Sequence, residues 1–517
     1  MTLDFDTCYR ALLARDQRFD GRFFTAVTST GVYCRPICPA RTPARANIRF
    51  YPHAGAAEAA GFRACRRCRP ETSPGSPEWN VRADLTGRAV RLITDGYVDE
   101  HGVDGLARRL AVTQRHLRRL LVSELGAGPL ALARTMRLQT ARRLLAETTM
   151  PITEIAFASG FSSVRQFNAS FAEAYGGPPS SLRRPSRAAG RTPGPAGAWL
   201  TLRLACREPF DGETLLAFLA ARAIPGVEQV TGNRYARTIT APGGPGLLEL
   251  TLPAEQPDGP ASRRHVLLRV RLPALRGVGR VVSRCRQLLD LDADAGAITD
   301  VLAADDVLAP LVKARPGLRV PGAYDGFELA VRAVLGQQVS VPAASTLAGR
   351  LAARFGTRLA EAGGPSVVFP APADLAGADL SGLGLTTARQ ATLRALATAV
   401  ADGGLALDHG ADPEQTAARL SELRGIGPWT VAYILMRAVG DPDAFPGTDL
   451  GLRRALTELG CQVSRAERWR PWRAYAAVHL WTWHGLKAVS AWRDAVSPGG
   501  HPQTPDGPGT PDAASAS

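Results

Sequence analysis

The stretch from Leu423 to Gly451, LRGIGPWTVAYILMRAVGDPDAFPGTDLG, decides how the second half of this chain folds. It begins with Gly425-Ile426-Gly427-Pro428, which is too rich in Gly and Pro to continue a helix, so we predict a tight turn. Apolar residues then recur at helical spacing from Trp429 onward, which predicts a helix, a hairpin and a second helix. Such a turn exposes backbone N–H groups at a helix N-terminus, where a phosphate can bind.

Asp449 lies 20 residues beyond Trp429, after the helix-breaking run Asp441-Pro442-Asp443 and the turn Pro446-Gly447. Two interpretations of this residue are open. It is either a helix cap, which Thr448-Asp449 before an apolar segment would allow, or a functional carboxylate.

These features resemble the helix-hairpin-helix DNA glycosylases, and their AlkA-type 3-methyladenine members most closely. The likeness continues through Trp469-Arg470-Pro471-Trp472-Arg473, Tyr475 and His479-Leu480-Trp481. It also covers residues 316–341, PGLRVPGAYDGFELAVRAVLGQQVSV. The resemblance implies that Asp449 is catalytic and that Gly425, Gly427 and Gln338 contact DNA. Gln338 occupies the position of the family's wedge, where the related enzyme has Leu, so the identity of the wedge stays open.

The same resemblance implies a pocket for a flipped base. Its expected lining is Trp429, Tyr433, Trp481 and, from the preceding domain, Phe218, because aromatic faces attract cationic alkylpurines. We interpret Trp469 and Trp472 as core residues.

The expected reaction is hydrolysis of the N-glycosidic bond. Asp449 either stabilises the oxocarbenium ion directly or positions the attacking water. A glycosylase with lyase activity needs a Lys amine, and no Lys occurs between residues 314 and 486, so we predict a monofunctional glycosylase.

Four of the eight cysteines form a cluster, Cys34-x3-Cys38 and Cys65-x2-Cys68, with 26 residues between the pairs. Two close pairs separated by a loop suit one tetrahedral Zn²⁺ held by four thiolates. The zinc is either purely structural or part of a reactive site, since zinc-bound thiolates remain nucleophilic. The spacing does not choose a nucleophile among the four cysteines.

The segments FFTAVTSTGVYCRPICPARTPARANIRFY and AAGFRACRRCRPE resemble the Ada-type amino-terminal domain. This resemblance implies that Cys34 accepts a methyl group from a DNA methylphosphotriester while Cys38, Cys65 and Cys68 complete the zinc ligands. The arginines near the cluster are expected to offset its charge and hold the DNA backbone; they include Arg35, Arg45 and Arg67.

Residues 79–184 show a doubled helix-turn-helix pattern. Helices are predicted at 105–110 and 114–124 around Thr113, a candidate N-cap, and again at 152–159 and 164–174. The tandem units resemble the AraC-family DNA-binding domain. The residues expected to reach base edges and phosphates are Arg115, Arg118, Arg119, Arg165, Gln166 and Asn168.

Charge supports a nucleic-acid partner. The chain of 517 residues has a net charge of +15, and residues 1–187 alone carry 28 Arg against 16 acidic residues. No apolar run approaches the length of a membrane span, and the N-terminus does not resemble a signal peptide, so we expect a cytoplasmic protein that does not bind membranes.

The predicted fold is multidomain and mainly α, with α+β parts. Three alternating segments, 200–204, 247–252 and 266–272, predict strands around a helix at 212–222 in a small α+β (TBP-like) domain. The predicted units are a zinc-binding methyl-acceptor domain (1–78), a double helix-turn-helix domain (79–184), a flexible linker (185–198), the α+β domain (199–280), an all-α helix-hairpin-helix glycosylase domain (281–497) and a disordered tail (498–517).

The expected function is a DNA alkylation-damage response that joins methyl acceptance, transcriptional activation and excision of alkylated purines. The alternative is a transcriptional regulator whose glycosylase half only docks on damage. The expected partners are double-stranded DNA, as lesion and as operator, and RNA polymerase, with the protein acting as a monomer.

Overall fold

The computed structural model describes residues 4–73, 85–183, 199–253, 265–275, 277–359 and 364–496. The predicted linker and the predicted disordered tail fall on residues outside these ranges. Among the described residues, no helix combines the length and the apolar character needed to span a bilayer.

A four-stranded sheet with strand order β3-β1-β2-β4 organises the N-terminal region. Strands β2 and β4 pair in parallel, with Tyr33 opposite Ala64. Because Cys34 ends β2 and Cys65 follows β4, this register brings the two cysteine pairs together. The elements are α1 (Phe5–Ala14), β1 (Phe24–Val27), β2 (Val32–Cys34), β3 (Ile48–Tyr51), α2 (Ala54–Ala59) and β4 (Arg63–Ala64), with 3₁₀ turns at Gln17–Phe19, Arg45–Asn47 and Pro70–Thr72.

Six helices follow, and they form the two predicted helix-turn-helix units. Thr113 caps α5, its hydroxyl accepting from the amide of His116 at 3.2 Å, and Ser163 caps α8 in the same way through Gln166 at 3.1 Å. The long helix α6 joins the two units. The helices are α3 (Leu85–Thr94), α4 (Tyr97–Arg109, kinked at Gly102), α5 (Gln114–Leu125), α6 (Pro129–Glu147), α7 (Ile152–Ala158) and α8 (Val164–Tyr175), followed by a 3₁₀ turn at Pro179–Leu182.

The third region is a five-stranded antiparallel sheet, β5-β9-β8-β7-β6, with one helix against it. Apolar residues alternate inward along β5 and β9, as expected for a sheet with one buried face. Strands β6 and β7 were not predicted from the sequence, because buried charged residues such as Glu228 and Arg237 interrupt their apolar pattern. The elements are β5 (Leu200–Ala205), α9 (Gly212–Ala221), β6 (Glu228–Thr231), β7 (Arg234–Ala241), β8 (Gly244–Thr251) and β9 (His265–Arg271).

The remainder is helical apart from a two-residue ribbon, β10 (Thr357–Arg358) with β11 (Val367–Val368). Helix α18 continues into a π-helical segment, Leu435–Val439, which leads to the loop before Asp449. The helices are α10 (Val278–Leu288), α11 (Ala295–Leu302), α12 (Ala309–Ala314), α13 (Gly326–Leu335), α14 (Val341–Phe355), α15 (Pro372–Ala376), α16 (Thr387–Ala401), α17 (Pro413–Ser421), α18 (Pro428–Ile434), α19 (Leu450–Glu458) and α20 (Arg473–Val496), with a 3₁₀ segment at Val463–Trp469.

The N-terminal and C-terminal halves pack directly against each other. Arg88 pairs with Asp412 at 3.0 Å and Arg109 pairs with Asp408 at 2.9 Å, which joins the helix-turn-helix region to the loop before α17. Gln287 donates to the partly buried carboxylate of Asp95 at 2.9 Å. The two halves are therefore in contact.

Two candidate reactive sites

The four clustered cysteines meet the geometric requirement for one tetrahedral ion. Their sulfur atoms all lie within 4.8 Å of one another, and none forms a disulfide. Zinc–sulfur bonds of about 2.3 Å place tetrahedral sulfurs about 3.8 Å apart, so a modest contraction accommodates Zn²⁺. The donor set, four thiols and no oxygen ligand, favours a soft divalent ion.

Cys34 differs from the other three cysteines in exposure. Cys38, Cys65 and Cys68 are 6%, 9% and 2% exposed, whereas Cys34 is only partly buried. The backbone amide of Arg35 donates to the buried sulfur of Cys68 at 3.4 Å. Cys34 is therefore distinguished from the other three cysteines by its exposure.

The expectation that Arg35 holds the DNA backbone is wrong. Its side chain is 4% exposed and its Nε donates to Asp20 Oδ1 at 2.7 Å, with a second contact from Nη2 to the other carboxylate oxygen. A buried arginine whose fork is already filled by a carboxylate cannot also bind a phosphate. Arg45 and Arg67 are exposed, although Arg45 also contacts Asp6.

The residues assigned to DNA recognition on α5 and α8 all face solvent, while the leucines and phenylalanines between them are buried. Leu117 and Leu121 anchor α5, and Phe167 and Phe171 anchor α8, each at 0% exposure. The exposed positions are Arg115, Arg118, Arg119, Arg165, Gln166 and Asn168. Both recognition helices therefore remain available in the packed arrangement.

Asp449 lies at the end of the hairpin segment and accepts three hydrogen bonds. Trp429 Nε1 donates to Oδ2 at 2.8 Å, Trp481 Nε1 donates to Oδ1 at 2.9 Å, and the amide of Leu452 donates to Oδ1 at 2.9 Å. The last bond makes Asp449 the N-cap of α19. The cap interpretation is thus correct as geometry, but a cap alone does not explain two indole donors on the same carboxylate.

Three of the four aromatic residues assigned to the base pocket form one cluster beside Asp449. Trp429 stacks on Tyr433 with ring centroids 5.1 Å apart, and Tyr433 meets Trp481 at 6.4 Å in an edge arrangement. All three rings are partly exposed, whereas Trp469 and Trp472 are 0% and 8% exposed and belong to the core, as predicted. The cluster offers flat apolar faces next to a carboxylate.

Two arginines that were not predicted from the sequence also lie at this cluster. The Arg222 guanidinium lies 3.8 Å from the Phe218 ring centroid, and that of Arg437 lies 4.8 Å from the same ring and 5.3 Å from that of Tyr433. Arg437 also donates to the Tyr433 hydroxyl at 2.5 Å. Burial alone would raise the pKa of Tyr433, but Arg437 and Arg222 outweigh it and lower the pKa.

Each missed arginine lies four residues after the aromatic residue it contacts, so helical spacing was a usable signal. Arg437 also falls in the π-helical segment, a feature often found at functional sites. Because guanidinium groups already approach Phe218 and Tyr433, Trp429 and Trp481 are the rings best placed to receive a cationic base.

The hairpin turn and the loop containing Gln338 are tied together. Gln337 Nε2 donates to the Gly425 carbonyl and to Thr430 Oγ1, each at 2.9 Å. Gly425 has a φ of 92°, and a Cβ there would lie 2.3 Å from Thr392 Oγ1, so only glycine fits; Gly427 opens onto free space. Gln338 is exposed and has a φ of 57°, in the left-handed region.

Comparison with protein-family models identifies four consecutive matches. The metal binding domain of Ada matches residues 7–71, a helix-turn-helix domain matches 106–185, the AlkA N-terminal domain matches 201–325, and the HhH-GPD superfamily of base excision DNA repair proteins matches 331–468. The predicted multidomain fold class and the three predicted resemblances are confirmed.

Comparison with curated proteins gives relatives that match nearly the full length of this chain. The "Probable bifunctional transcriptional activator/DNA repair enzyme AlkA" of Mycobacterium tuberculosis is 49% identical over 486 residues, covering 93% of this chain and 96% of the relative. The Escherichia coli DNA-3-methyladenine glycosylase 2 is 35% identical over 55% of this chain and 97% of its own length. The Escherichia coli enzyme Ada is 37% identical over 29% of this chain and 41% of its own length.

Proposed function

Because the chain belongs to the family of bifunctional transcriptional activator/DNA repair enzymes that join an Ada-type metal-binding domain to an AlkA-type glycosylase, we propose how its residues divide the two activities. The protein responds to DNA alkylation damage: it is a DNA-3-methyladenine glycosylase and a stoichiometric methyl acceptor that regulates transcription. Cys34 takes up the methyl group and Asp449 serves base excision.

The carboxylate of Asp449 between two indole N–H groups is the observation that supports the excision role. Three N–H donors hold the carboxylate in one orientation beside aromatic faces that suit a flipped base. The cationic base leaves with the electrons of its N-glycosidic bond, and the sugar becomes oxocarbenium-like. Asp449 then opposes the positive charge or orients a water molecule, which adds to the sugar and releases a proton to the solvent.

The greater exposure of Cys34 supports its role as methyl acceptor. A Zn²⁺ ion at the four sulfurs keeps them as thiolates at neutral pH. The Cys34 sulfur attacks the methyl carbon of the phosphotriester, an S–CH₃ bond forms, and the CH₃–O bond breaks. The bonding pair stays on the phosphate oxygen, which leaves an ordinary phosphodiester anion, and the thioether keeps the methyl group.

The remaining assignments complete this proposal. The domains divide at 1–78, 79–184, 199–280 and 281–497, with residues 185–198 as the linker between the second and third domains. DNA is the partner of both halves. The finer expectations are contact with RNA polymerase, action as a monomer and location in the cytoplasm. Contacts to DNA come from the hairpin glycines, Gln338, Arg45, Arg67 and the exposed side chains of α5 and α8.

One experiment tests base excision and zinc binding on a single sample. Methylated duplex DNA is incubated with the purified full chain, alkali-labile sites are counted, and the zinc content of the protein is measured. We expect alkali-labile sites to form with turnover and one Zn²⁺ per chain. Tight binding to methylated DNA without base release would reduce the second half to a docking module.

A further inference from the structure

The loop that supports the methyl-acceptor site is held by residues of the glycosylase half. Asp20 and Arg22 lie in this loop, directly before β1, and they are bound by Arg207 and Asp294 from far along the chain. Asp20, Arg207 and Asp294 are 5%, 7% and 7% exposed, so these contacts are interior contacts rather than surface encounters.

Arg35 connects this loop to the sulfur cluster. The backbone amide of Arg35 donates to Cys68 Sγ at 3.4 Å, and its guanidinium Nη1 donates to the Cys68 carbonyl at 3.4 Å. Arg35 thus touches one metal ligand from two sides. Both oxygens of the Asp20 carboxylate in turn hold the Arg35 guanidinium. The orientation of Arg35, and through it that of Cys68, depends on where Asp20 lies.

Asp20 is in turn connected to the glycosylase half. Arg35 occupies the side-chain carboxylate of Asp20. The backbone carbonyl of Asp20 accepts a hydrogen bond from Arg207 Nη2 at 2.7 Å. Arg207 is itself fixed, because its amide donates to the Leu291 carbonyl at 3.3 Å and its own carbonyl accepts from Arg319 Nη2 at 2.7 Å. Arg207 therefore presents a rigid donor to a loop of another domain.

A second anchor lies two residues further on. Arg22 forms an ion pair with Asp294 Oδ2. The other oxygen of Asp294 caps α11 by accepting from the amides of Gly296 at 3.1 Å and Ala297 at 3.2 Å. Since a helix end fixes this carboxylate, the loop is held at two points by the glycosylase half and at a third by Arg35.

We infer that Arg207 and Asp294 are positioning residues of the methyl-acceptor site, so that the glycosylase half completes the surroundings of the zinc centre. This inference rests on the proposed role of Cys34. Groups that orient metal ligands from outside the ligand set typically change metal affinity or activity by about ten- to a hundredfold when they are removed. The metal-binding domain then depends on its fusion partner for full metal retention and reactivity.

The test uses the full zinc-loaded chain and the substitution Arg207→Ala. We expect zinc release to a chelator to accelerate about tenfold or more, and methyl transfer to Cys34 to slow to a similar degree. Hydrogen exchange of the amides at residues 20–24 should also increase. Arg207→Lys should recover part of the loss, because an ammonium group can still donate to the Asp20 carbonyl. Arg203→Ala, an exposed position on the neighbouring strand β5, is the matched control.

Base release from methylated DNA, measured on the same samples, distinguishes loss of the positioning contact from a general loss of protein structure. We expect the Arg207→Ala variant to retain base release. If base release falls as well, Asp294→Asn decides, since Asn still caps α11 but lacks the charge that binds Arg22. Zinc release and hydrogen exchange indistinguishable from the Arg203→Ala control would overturn the inference. A wild-type chain that never takes a methyl group on Cys34 would instead refute the proposed function, while zinc release would still test the positioning role.

Discussion

Cys34 and Asp449 are the residues proposed to react in the two halves, and their hydrogen-bond surroundings differ. Asp449 accepts two indole N–H groups and one backbone amide. In the zinc cluster, the backbone amide of Arg35 donates to the buried sulfur of Cys68, and Cys34 is the most exposed of the four cysteines. A thiolate must share an electron pair with the methyl carbon, whereas a carboxylate beside an oxocarbenium ion only has to keep its charge in place. Donors hinder the first task and assist the second.

The largest expected effect is that of Cys34→Ser. Labelled methyl transfer from methylphosphotriester DNA should fall from stoichiometric to undetectable, because the remaining sulfurs are buried. The measurement is label incorporation with intact mass. Cys461→Ser, which changes a cysteine outside the cluster, should behave as wild type. Methylation found on Cys38, Cys65 or Cys68 would contradict the assignment of Cys34 as the methyl acceptor.

The substitution Asp449→Asn should have the second-largest effect. Loss of one preorganised charge costs about 3 kcal/mol in the barrier, roughly a hundredfold in the rate of base excision. Asn still caps α19, so folding should be kept. Single-turnover base release is the measurement, and binding to an abasic-site analogue should survive. Asp441→Asn, in the same loop, is the control, and equal rates for the two variants would remove Asp449 from the mechanism.

Trp481→Phe sharpens the comparison by removing one donor while keeping an aromatic ring. A hydrogen bond to a charged group contributes about 1.5–3 kcal/mol, so excision should slow about tenfold or more. Trp472→Phe changes a core tryptophan that does not contact Asp449 and should leave the rate unchanged. If the Trp481→Phe variant is as active as this control, the indole donor of Trp481 does not orient the Asp449 carboxylate.

Methylation of Cys34 should have a smaller effect, on operator binding. It takes the four-thiolate zinc centre from −2 to −1, which reduces repulsion from DNA by about 1 kcal/mol at ~4 Å in water. Arg45 and Arg67 are exposed and can then add phosphate contacts, each steepening the salt dependence by about 0.9. Operator affinity of the full chain is measured against salt before and after treatment with a methylating agent. Equal slopes, with methylated Cys34 confirmed by mass and Cys34→Ser as control, would contradict the switch.

The smallest expected effect concerns Gln338. Gln338→Leu should raise excision a few-fold, because an apolar wedge unstacks bases more readily than an amide. Gln338→Gly removes the side chain but relieves the left-handed φ of 57°, which separates wedge chemistry from backbone strain. Slower excision by the Leu variant would indicate that the amide itself contacts the DNA.

Features set by local spacing were predictable from the sequence. The cysteine pairs, the hairpin glycines and the cap Thr113 depend on residues close together in the chain, and the structure places them as expected. The buried position of Arg35 was not predictable, since its partner Asp20 is fixed by contacts between domains. Strands β6 and β7 were missed for a related reason, because their buried charges are paired with residues distant in sequence such as Glu328.

The three donors on Asp449 also limit what else this carboxylate can bind. A carboxylate has about four acceptor positions, and among the described residues two indoles and the Leu452 amide occupy three of them. About one position remains, on Oδ2. In the proposed reaction this position can accept a hydrogen bond from one water molecule, whereas the negative charge acts on the sugar cation through space and occupies no acceptor position. The proposed site therefore has room to orient a single nucleophile.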